Sequence, residues 1–215
     1  MCGIAGYVGR FQPDLLGLMN RAQGHRGPDG SGQWHDADAG LAHVRLAILD
    51  LTPSGAQPMA DATGQVIVSF NGEIYNYREL RAGLERDGVA FRGESDTEVL
   101  ANLLAREGRA CLPKLNGIFA LAAWFPGERK LLLARDAAGV KPLYWTTTPE
   151  GRLFASELKA FRGITGVDWS LDPDAVAAYL TLLYAPGELT PAKGVRKLTP
   201  GSYLEWTADG KTQGG

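Results

Sequence analysis

Residues 1–9, MCGIAGYVG, set the direction for both the fold and the chemistry of this chain. The apolar run from Ile4 to Val8 has glycine on both sides, which predicts a buried strand almost at the first residue. Cys2 stands directly behind Met1. One of only two cysteines in the chain therefore lies next to this first strand.

Cys2 can act as a nucleophile if Met1 is removed, because its thiol and a free α-amine then lie on the same residue. A small side chain followed by Gly3 favours removal of the methionine. A free α-amine titrates near pH ~8 and can serve as the base that activates its own side chain, so no separate histidine is needed. The alternative is an ordinary buried cysteine near a terminus, which is the commoner situation in an arbitrary protein.

The amino-acid composition limits the classes of protein to which this chain can belong. The chain has 215 residues, 45% of them hydrophobic and 21% charged, which fits one globular domain, with two small domains as the alternative. A net charge of −2 without any Lys/Arg cluster argues against a nucleic-acid partner. The 28 glycines favour turns and strands over a helical bundle. Cys2 and Cys111 alone can form neither a disulfide framework nor a thiol-rich site, and no metal is predicted.

The sequence predicts neither a membrane span nor a secretory signal. No window approaches ~18 uninterrupted apolar residues, so no membrane span and no membrane partner are predicted. No basic leader precedes the N-terminal apolar run, which makes a secretory signal unexpected and a cytoplasmic location the prediction. We expect one domain over residues 1–206. Residues 207–215 are polar and end in glycine, and we expect them to form a tail or the start of a linker.

The order of predicted elements favours the α+β class. Strands are followed by two helices and then by strands again, which suggests helices packed on antiparallel sheets rather than strict βαβ alternation. Strands are predicted at residues 4–8, 41–49, 66–70, 117–125, 130–135, 143–147, 153–155 and 195–206. Helices are predicted at residues 13–23 and 77–86, from residue 95, and from residue 172 to about residue 184, with a loop at residues 25–32.

Asn71 and Gly72 lie between two β-favouring runs, a pattern typical of a hairpin turn. The functional alternative is an oxyanion hole, in which the Asn71 side-chain amide and the Gly72 backbone N–H donate to one oxygen at the turn. Glycine would let the backbone approach a substrate closely. The spacing alone favours a turn without catalytic function.

Two charged residues could hold the ends of a free amino acid. Arg45 lies inside the apolar run 44–49, where it either projects from an exposed strand face or grips a carboxylate. Asp96 follows Ser95, which with Glu98 has the spacing of a capping box, so the helix dipole alone explains this acid. An acid at a substrate site would equally suit an α-ammonium group.

No other motif predicts a cofactor. His25, His35 and His43 lack metal-ligand spacing and are expected to be structural. The Gly-rich stretch at residues 24–32 lacks the phosphate-loop pattern, so nothing predicts ATP binding within these residues.

Eight motifs in register carry a resemblance to a known family. They are MCGIAG (residues 1–6), HRGPDG (25–30), RLAI (45–48), NGEIYN (71–76), SDTE (95–98), ARD (134–136), GVKPLY (139–144) and FASELKA (154–160). Together they make the chain resemble the N-terminal glutaminase domain of glutamine-hydrolysing asparagine synthetases, a class II glutamine amidotransferase. The resemblance covers nearly the whole chain.

The resemblance implies an N-terminal nucleophile hydrolase fold, a four-layer αββα sandwich of two antiparallel sheets between helical layers. It also implies catalytic roles. Cys2, exposed by loss of Met1, would attack the glutamine side-chain amide. The Asn71 side chain and the Gly72 N–H would stabilise the oxyanion. A γ-glutamyl thioester would form as ammonia leaves, and water would hydrolyse it to glutamate.

The same resemblance implies how L-glutamine is held. Arg45 would bind the substrate α-carboxylate, and Asp96 would bind the α-ammonium. Glu73 and the backbone of Leu46 and Ile48 would complete the pocket, with no metal.

The family also implies a partner for the ammonia. Such synthetases continue into an ATP-dependent domain with a Ser-Gly-Gly-x-Asp-Ser pyrophosphate loop, which these residues lack. The expectation is an excised domain, or else a separate subunit that passes ammonia to a partner. ATP and Mg²⁺ are expected only in the synthetase domain, and no cofactor in this one. The alternative functions are a glutaminase domain that feeds another amide- or amine-forming synthetase, and a catalytically idle regulatory module of the same fold.

Overall fold

The computed structural model describes all 215 residues as twelve strands and four α-helices. The strands are β1 (Gly3–Gly9), β2 (Gly30–His35), β3 (Ala39–Arg45), β4 (Met59–Ala60), β5 (Ile67–Ile74), β6 (Gly117–Phe125), β7 (Lys130–Arg135), β8 (Tyr144–Thr148), β9 (Gly151–Ala155), β10 (Val195–Lys197), β11 (Tyr203–Thr207) and β12 (Thr212–Gly214). The helices are α1 (Asp14–Gln23), α2 (Tyr77–Arg86), α3 (Asp96–Glu107) and α4 (Pro173–Leu182).

The strands form two six-stranded antiparallel sheets. The first sheet has the order β10-β8-β9-β1-β3-β2, and the second has the order β12-β11-β7-β6-β5-β4. Strand β1 is therefore a central strand, with β9 on one side and β3 on the other. The prediction of a buried first strand is confirmed.

Successive side chains of a strand point to opposite faces of the sheet, and in both sheets each face carries apolar side chains. In β1, Ile4 and Val8 belong to the core between the sheets, whereas Ala5 and Tyr7 belong to the core beneath α1. The inter-sheet core also buries Trp124.

A third core lies between the second sheet and helices α2 and α3. Three apolar cores thus join four layers, and the predicted αββα sandwich of the α+β class is confirmed.

The hairpin predicted at Asn71-Gly72 is wrong. Strand β5 runs straight through both residues, and they pair with Ala120 and Phe119 of β6. Gly72 is not among the residues with positive φ, so no tight turn requires a glycine there. A side chain at this position would instead collide with the Ile118 carbonyl oxygen and with Phe119, which is why only glycine fits between the two strands.

Three other predictions from the sequence differ from the structure. Residues 195–206 form two strands, β10 in the first sheet and β11 in the second, separated by a turn at Gly201 with φ of +69°. Strand β2 occupies part of the predicted loop at residues 25–32, and its exposed residues carry little hydrophobic signal. Strand β3 ends at Arg45 instead of residue 49.

The C-terminal residues are more ordered than predicted. Strand β12 pairs with Leu204–Trp206 of β11 and extends the second sheet by one edge strand. The predicted tail at residues 207–215 therefore includes a strand, while the domain boundary at residue 206 stays a prediction. None of the helices combines the length and the apolar character needed to cross a bilayer.

Candidate active site

The apolar core between the sheets gives way to polar side chains at one end of the sandwich. The inner faces of β1, β3 and β5 carry Ile4, Leu41 and Ile67 in the core. Toward this end the same faces carry Cys2, Arg45 and Asn71. These residues line a narrow cleft with a cavity of about 90 Å³. All of the predicted site residues line it, namely Cys2, Arg45, Leu46, Ile48, Asn71, Gly72, Glu73 and Asp96. Their proposed roles stay predictions.

Cys2 is anchored through its backbone and its sulfur. Its carbonyl accepts a hydrogen bond of 2.9 Å from Arg26 Nε, and Arg26 Nη1 pairs with Glu157 at 2.9 Å. The Leu46 N–H donates to Cys2 Sγ at 3.4 Å, and Sγ lies 3.5 Å from the Leu46 carbonyl oxygen. The thiol is therefore held in place at the mouth of the cleft.

Asn71 and Gly72 present two unused hydrogen-bond donors. Asn71 Nδ2 is buried and has no partner in the protein. The N–H and C=O of Phe119, which stands opposite Gly72, both bond to Asp136 on the far side. Gly72 and Phe119 are thus a non-hydrogen-bonded pair, and the Gly72 N–H faces away from β6. Two free donors on adjacent residues that line the cleft suit a developing oxyanion.

Asp96 is a buried carboxylate at the start of α3. Its Oδ2 accepts a hydrogen bond of 3.0 Å from the Ile74 N–H, and the residue is 5% exposed. Burial raises the pKa of Asp96 to about 6. An acid in this position gains from a cation beside it, because the cation offsets the cost of burying the charge.

The helix cap beside Asp96 is confirmed in part. Ser95 Oγ accepts from the Glu98 N–H at 3.2 Å. The Glu98 carboxylate does not return to Ser95 but accepts from the N–H groups of Arg92 and Gly93 at 2.8 and 2.9 Å. The cap therefore fixes Asp96 and also ties the preceding loop to α3.

Arg45 supports the wall of the cleft. Its guanidinium donates to the carbonyl oxygen of Thr52 at 3.0 Å and to that of Asp50. These bonds hold the loop after β3, which contributes Leu46 and Ile48 to the lining. Arg45 thus stands at the cleft with a structural function of its own.

Three residues at the cleft or beside it were not identified from the sequence. Arg26 belongs to a quoted motif, but nothing in its spacing shows that it binds the Cys2 carbonyl. Lys141 lines the cleft, with Nζ 3.7 Å from Met1 Sδ. Gln57 also lines it and bonds to the backbone of β5. Lys141 belongs to the quoted motif at residues 139–144, but neither that motif nor the spacing of Gln57 indicates a place at the cleft.

The remaining candidate ligands lie apart from the cleft or are inert. No group of three or more His, Cys, Asp or Glu side chains is placed to hold a metal ion. His43 is fully buried and bonds to the Phe70 carbonyl, while His25 bonds to Glu157. Cys111 is buried in the core beneath α2 and α3, and burial raises its pKa to about 12. A larger cavity of about 510 Å³, beside Arg109 and Tyr203, contains no thiol or carboxylate side chain.

Two facing antiparallel sheets between helical layers form the fold of the N-terminal nucleophile hydrolases. Solved structures share this fold. The phosphoribosylpyrophosphate amidotransferase of Bacillus subtilis, in complex with ADP and GMP, superimposes with a TM-score of 0.72 at 22% identity, over 99% of this chain and 49% of that one. A glutamine aminotransferase class-II domain protein from Silicibacter pomeroyi gives a TM-score of 0.51 at 15% identity, over 100% of this chain and 97% of that one.

Sequence comparison defines the family. A family model described as a glutamine amidotransferase domain matches residues 1–214, and the chain belongs to this family. Asparagine synthetase (glutamine-hydrolysing) 1 of Bacillus subtilis is 37% identical over 98% of this chain and 34% of its own length. The amidase chry2 of Gibberella zeae is 37% identical over 84% of this chain and 26% of its own. The chain thus spans about a third or less of these relatives.

Proposed function

We propose that this domain, once Met1 is removed, hydrolyses the side-chain amide of L-glutamine to glutamate and ammonia. The proposal rests on one observation. The Cys2 thiol, the free Asn71 Nδ2 and the Gly72 N–H, which faces away from β6, all lie at one cleft. A nucleophile beside two unused donors suits acyl transfer from an amide.

The proposed reaction has two halves. The α-amine of Cys2 takes the proton from Sγ, and the thiolate attacks the amide carbon of glutamine. The oxyanion that forms accepts from Asn71 Nδ2 and the Gly72 N–H, and it collapses as the amine returns its proton to the departing ammonia. Water, activated by the same amine, then attacks the γ-glutamyl thioester, releases glutamate and restores the thiol.

The charged ends of the substrate fit the charged groups of the cleft. Asp96, which is buried without a cation, binds the α-ammonium group, with Glu73 nearby at the entrance. Arg45 binds the α-carboxylate. The backbone of Leu46 and Ile48 forms the remaining wall. This arrangement selects a free amino acid over a peptide, in which the two charges are absent.

The ammonia is proposed to serve asparagine synthesis from aspartate and ATP in a cytoplasmic protein. Support comes from the asparagine synthetases among the relatives, of which this chain covers only about a third. ATP and Mg²⁺ would then bind to a synthetase domain, in cis or as a partner subunit. One relative is named as an amidase rather than as an asparagine synthetase, and this supports a second candidate, a glutaminase domain that serves an enzyme other than asparagine synthetase.

Glutamate release from L-glutamine tests the proposal. The assay uses protein whose intact mass shows that Met1 has been removed. Cys2→Ala should abolish release, whereas Cys111→Ala should retain it, because Cys111 is buried away from the cleft. Alkylation at neutral pH should modify the wild type once, at Cys2. Equal release by wild type and Cys2→Ala would exclude the thiol as the nucleophile.

A further inference from the structure

The edge of β5 that faces away from β6 is only partly covered by another strand. Strand β4 has two residues and pairs with Ile67 and Val68 alone. The next residues with backbone groups on that edge are Phe70, Gly72 and Ile74. Backbone groups at a buried strand edge that lack a neighbouring strand need side chains as hydrogen-bond partners. These side chains determine how firmly the strand is held.

Side chains supply those partners on both sides of Gly72. The Phe70 N–H donates to Gln57 Oε1 at 2.7 Å, and the Phe70 carbonyl accepts from His43 Nε2 at 3.2 Å. On the other side, the Ile74 N–H donates to Asp96 at 3.0 Å. Gly72 alone has no such side-chain partner. The free donor therefore lies between two points at which the strand is fixed.

Gln57 connects this edge to the other half of the cleft. While its Oε1 accepts from Phe70, its Nε2 donates to Thr97 Oγ1 at 3.2 Å. Thr97 is buried and follows Asp96 in the first turn of α3. One amide side chain thus joins the strand that carries Asn71 to the helix that carries the buried carboxylate.

We propose that Gln57 is a positioning residue that sets the two oxyanion donors relative to Cys2 through its bond to the Phe70 N–H. This proposal rests on the proposed glutaminase function. The donors act on charge that develops in the transition state, so a small displacement of β5 affects turnover more than binding. The bond to Thr97 keeps the Gln57 amide oriented toward the strand.

Gln57→Met tests this function, since methionine has nearly the same length and no acceptor for the Phe70 N–H. In the glutamate-release assay we expect kcat to fall about 10- to 100-fold, with KM within about 3-fold of the wild type. Asn76→Leu is the matched control. The Asn76 amide also bonds to backbone at both ends, to the Lys114 carbonyl at 2.9 Å and the Asn116 N–H at 3.0 Å, but it does not line the cleft. We expect its kcat to stay within about 2-fold of the wild type at the same temperature below both unfolding midpoints.

A double-mutant cycle separates positioning from general stability. If Thr97 acts through Gln57, Gln57→Met combined with Thr97→Val should lose no more kcat than Gln57→Met alone. An unchanged kcat in Gln57→Met would overturn the inference, as would a raised KM at constant kcat, which indicates direct contact with substrate. A wild-type protein that lacks Met1 and releases no glutamate would instead reject the proposed function, and this inference with it.

Discussion

Asp96, the residue proposed to bind the substrate ammonium, is expected to lower the stability of the free protein. The residue is 5% exposed, its carboxylate accepts a hydrogen bond from the Ile74 N–H, and it forms no ion pair within the protein. Such a charge is costly in the free protein and becomes favourable only when a cationic ligand arrives. The structure therefore places a destabilising group at the position where the substrate ammonium is proposed to bind.

The buried Asp96 carboxylate should make the stability of the wild type depend on pH, and substitution of Asp96 should remove this dependence. Its pKa is raised from 3.8 to about 6, so the folded protein keeps a proton that the unfolded chain has already released. Wild-type stability consequently falls as pH rises through the interval from about 4 to about 6. Asp96→Asn lacks this loss. At pH ~8 it should be more stable than the wild type by about 2–3 kcal/mol, and the advantage should disappear below pH ~4.

Urea unfolding at several pH values measures this difference, and glutamine KM measures its functional counterpart. Asp96→Asn should raise KM strongly because the ammonium loses its partner. Asp174→Asn, at the exposed start of α4, is the control and should change stability by less than about 1 kcal/mol at every pH. A stability difference for Asp96→Asn that does not vary with pH would contradict the prediction.

At the scale of single elements, β5 has the strictest requirement. Its path brings the backbone at Gly72 against Ile118 and Phe119 of β6, and a methyl group there has no room. Gly83 in α2 is the opposite case, since a methyl group at that position meets nothing within 4 Å. Gly72 is therefore required because there is no room for a side chain. Gly83 has that room, so only the lower preference of glycine for a helix matters there.

The substitutions Gly72→Ala and Gly83→Ala should therefore have opposite effects. Gly72→Ala should destabilise the fold by about 1–3 kcal/mol and sharply lower glutamate release, because β5 and β6 must separate. Gly83→Ala should stabilise it by about 0.5–1 kcal/mol, as alanine favours the helix and restricts the unfolded chain. Thermal or urea unfolding provides both values. Equal stability of the two variants would show that β6 yields easily at Ile118.

Local signals predicted several elements with accurate bounds. Helix α2 and the strands β6 and β7 were predicted with the ends that the structure shows. These elements follow from short-range periodicity and from the composition of the intervening turn. Tertiary contacts did not alter them.

The predictions failed where a distant partner decides the local structure. Asn71-Gly72 has a strong turn signal, yet β6 is long enough to pair with β5 to its end. The run at residues 195–206 is divided because its two halves pair with different sheets. Within the site, residue type indicated Cys2 and Asp96. Gln57 was not predicted, because its partner is a backbone N–H at an unpaired strand edge, which the sequence does not reveal.

At the scale of the whole molecule, the two sheets are joined by one core that contains two fully buried tryptophans. Trp124 donates its indole N–H to Asp36 Oδ2 at 2.7 Å. Trp206 Nε1 is buried without a partner. These side chains are matched in size, burial and layer, and they differ in whether the indole hydrogen bond is satisfied.

Phenylalanine substitutions at the two tryptophans should differ in cost. Both lose packing volume, but only Trp124→Phe removes a hydrogen bond and leaves Asp36 without that donor. We expect Trp124→Phe to be more destabilising than Trp206→Phe by about 1 kcal/mol, measured by urea unfolding at one pH. A larger loss in Trp206→Phe would mean that ring packing outweighs the hydrogen bond.

The central position of β1 has a consequence for the order of events during synthesis. Strand β1 is synthesised before every other strand of its sheet, and its neighbour β9 begins only at Gly151. At translation rates of roughly 5–20 residues per second, an interval on the order of ten seconds separates the two. The first sheet cannot close around β1 during that time, so the amino terminus stays open to an aminopeptidase. The cleft is thus completed only after there has been time for the proposed removal of Met1.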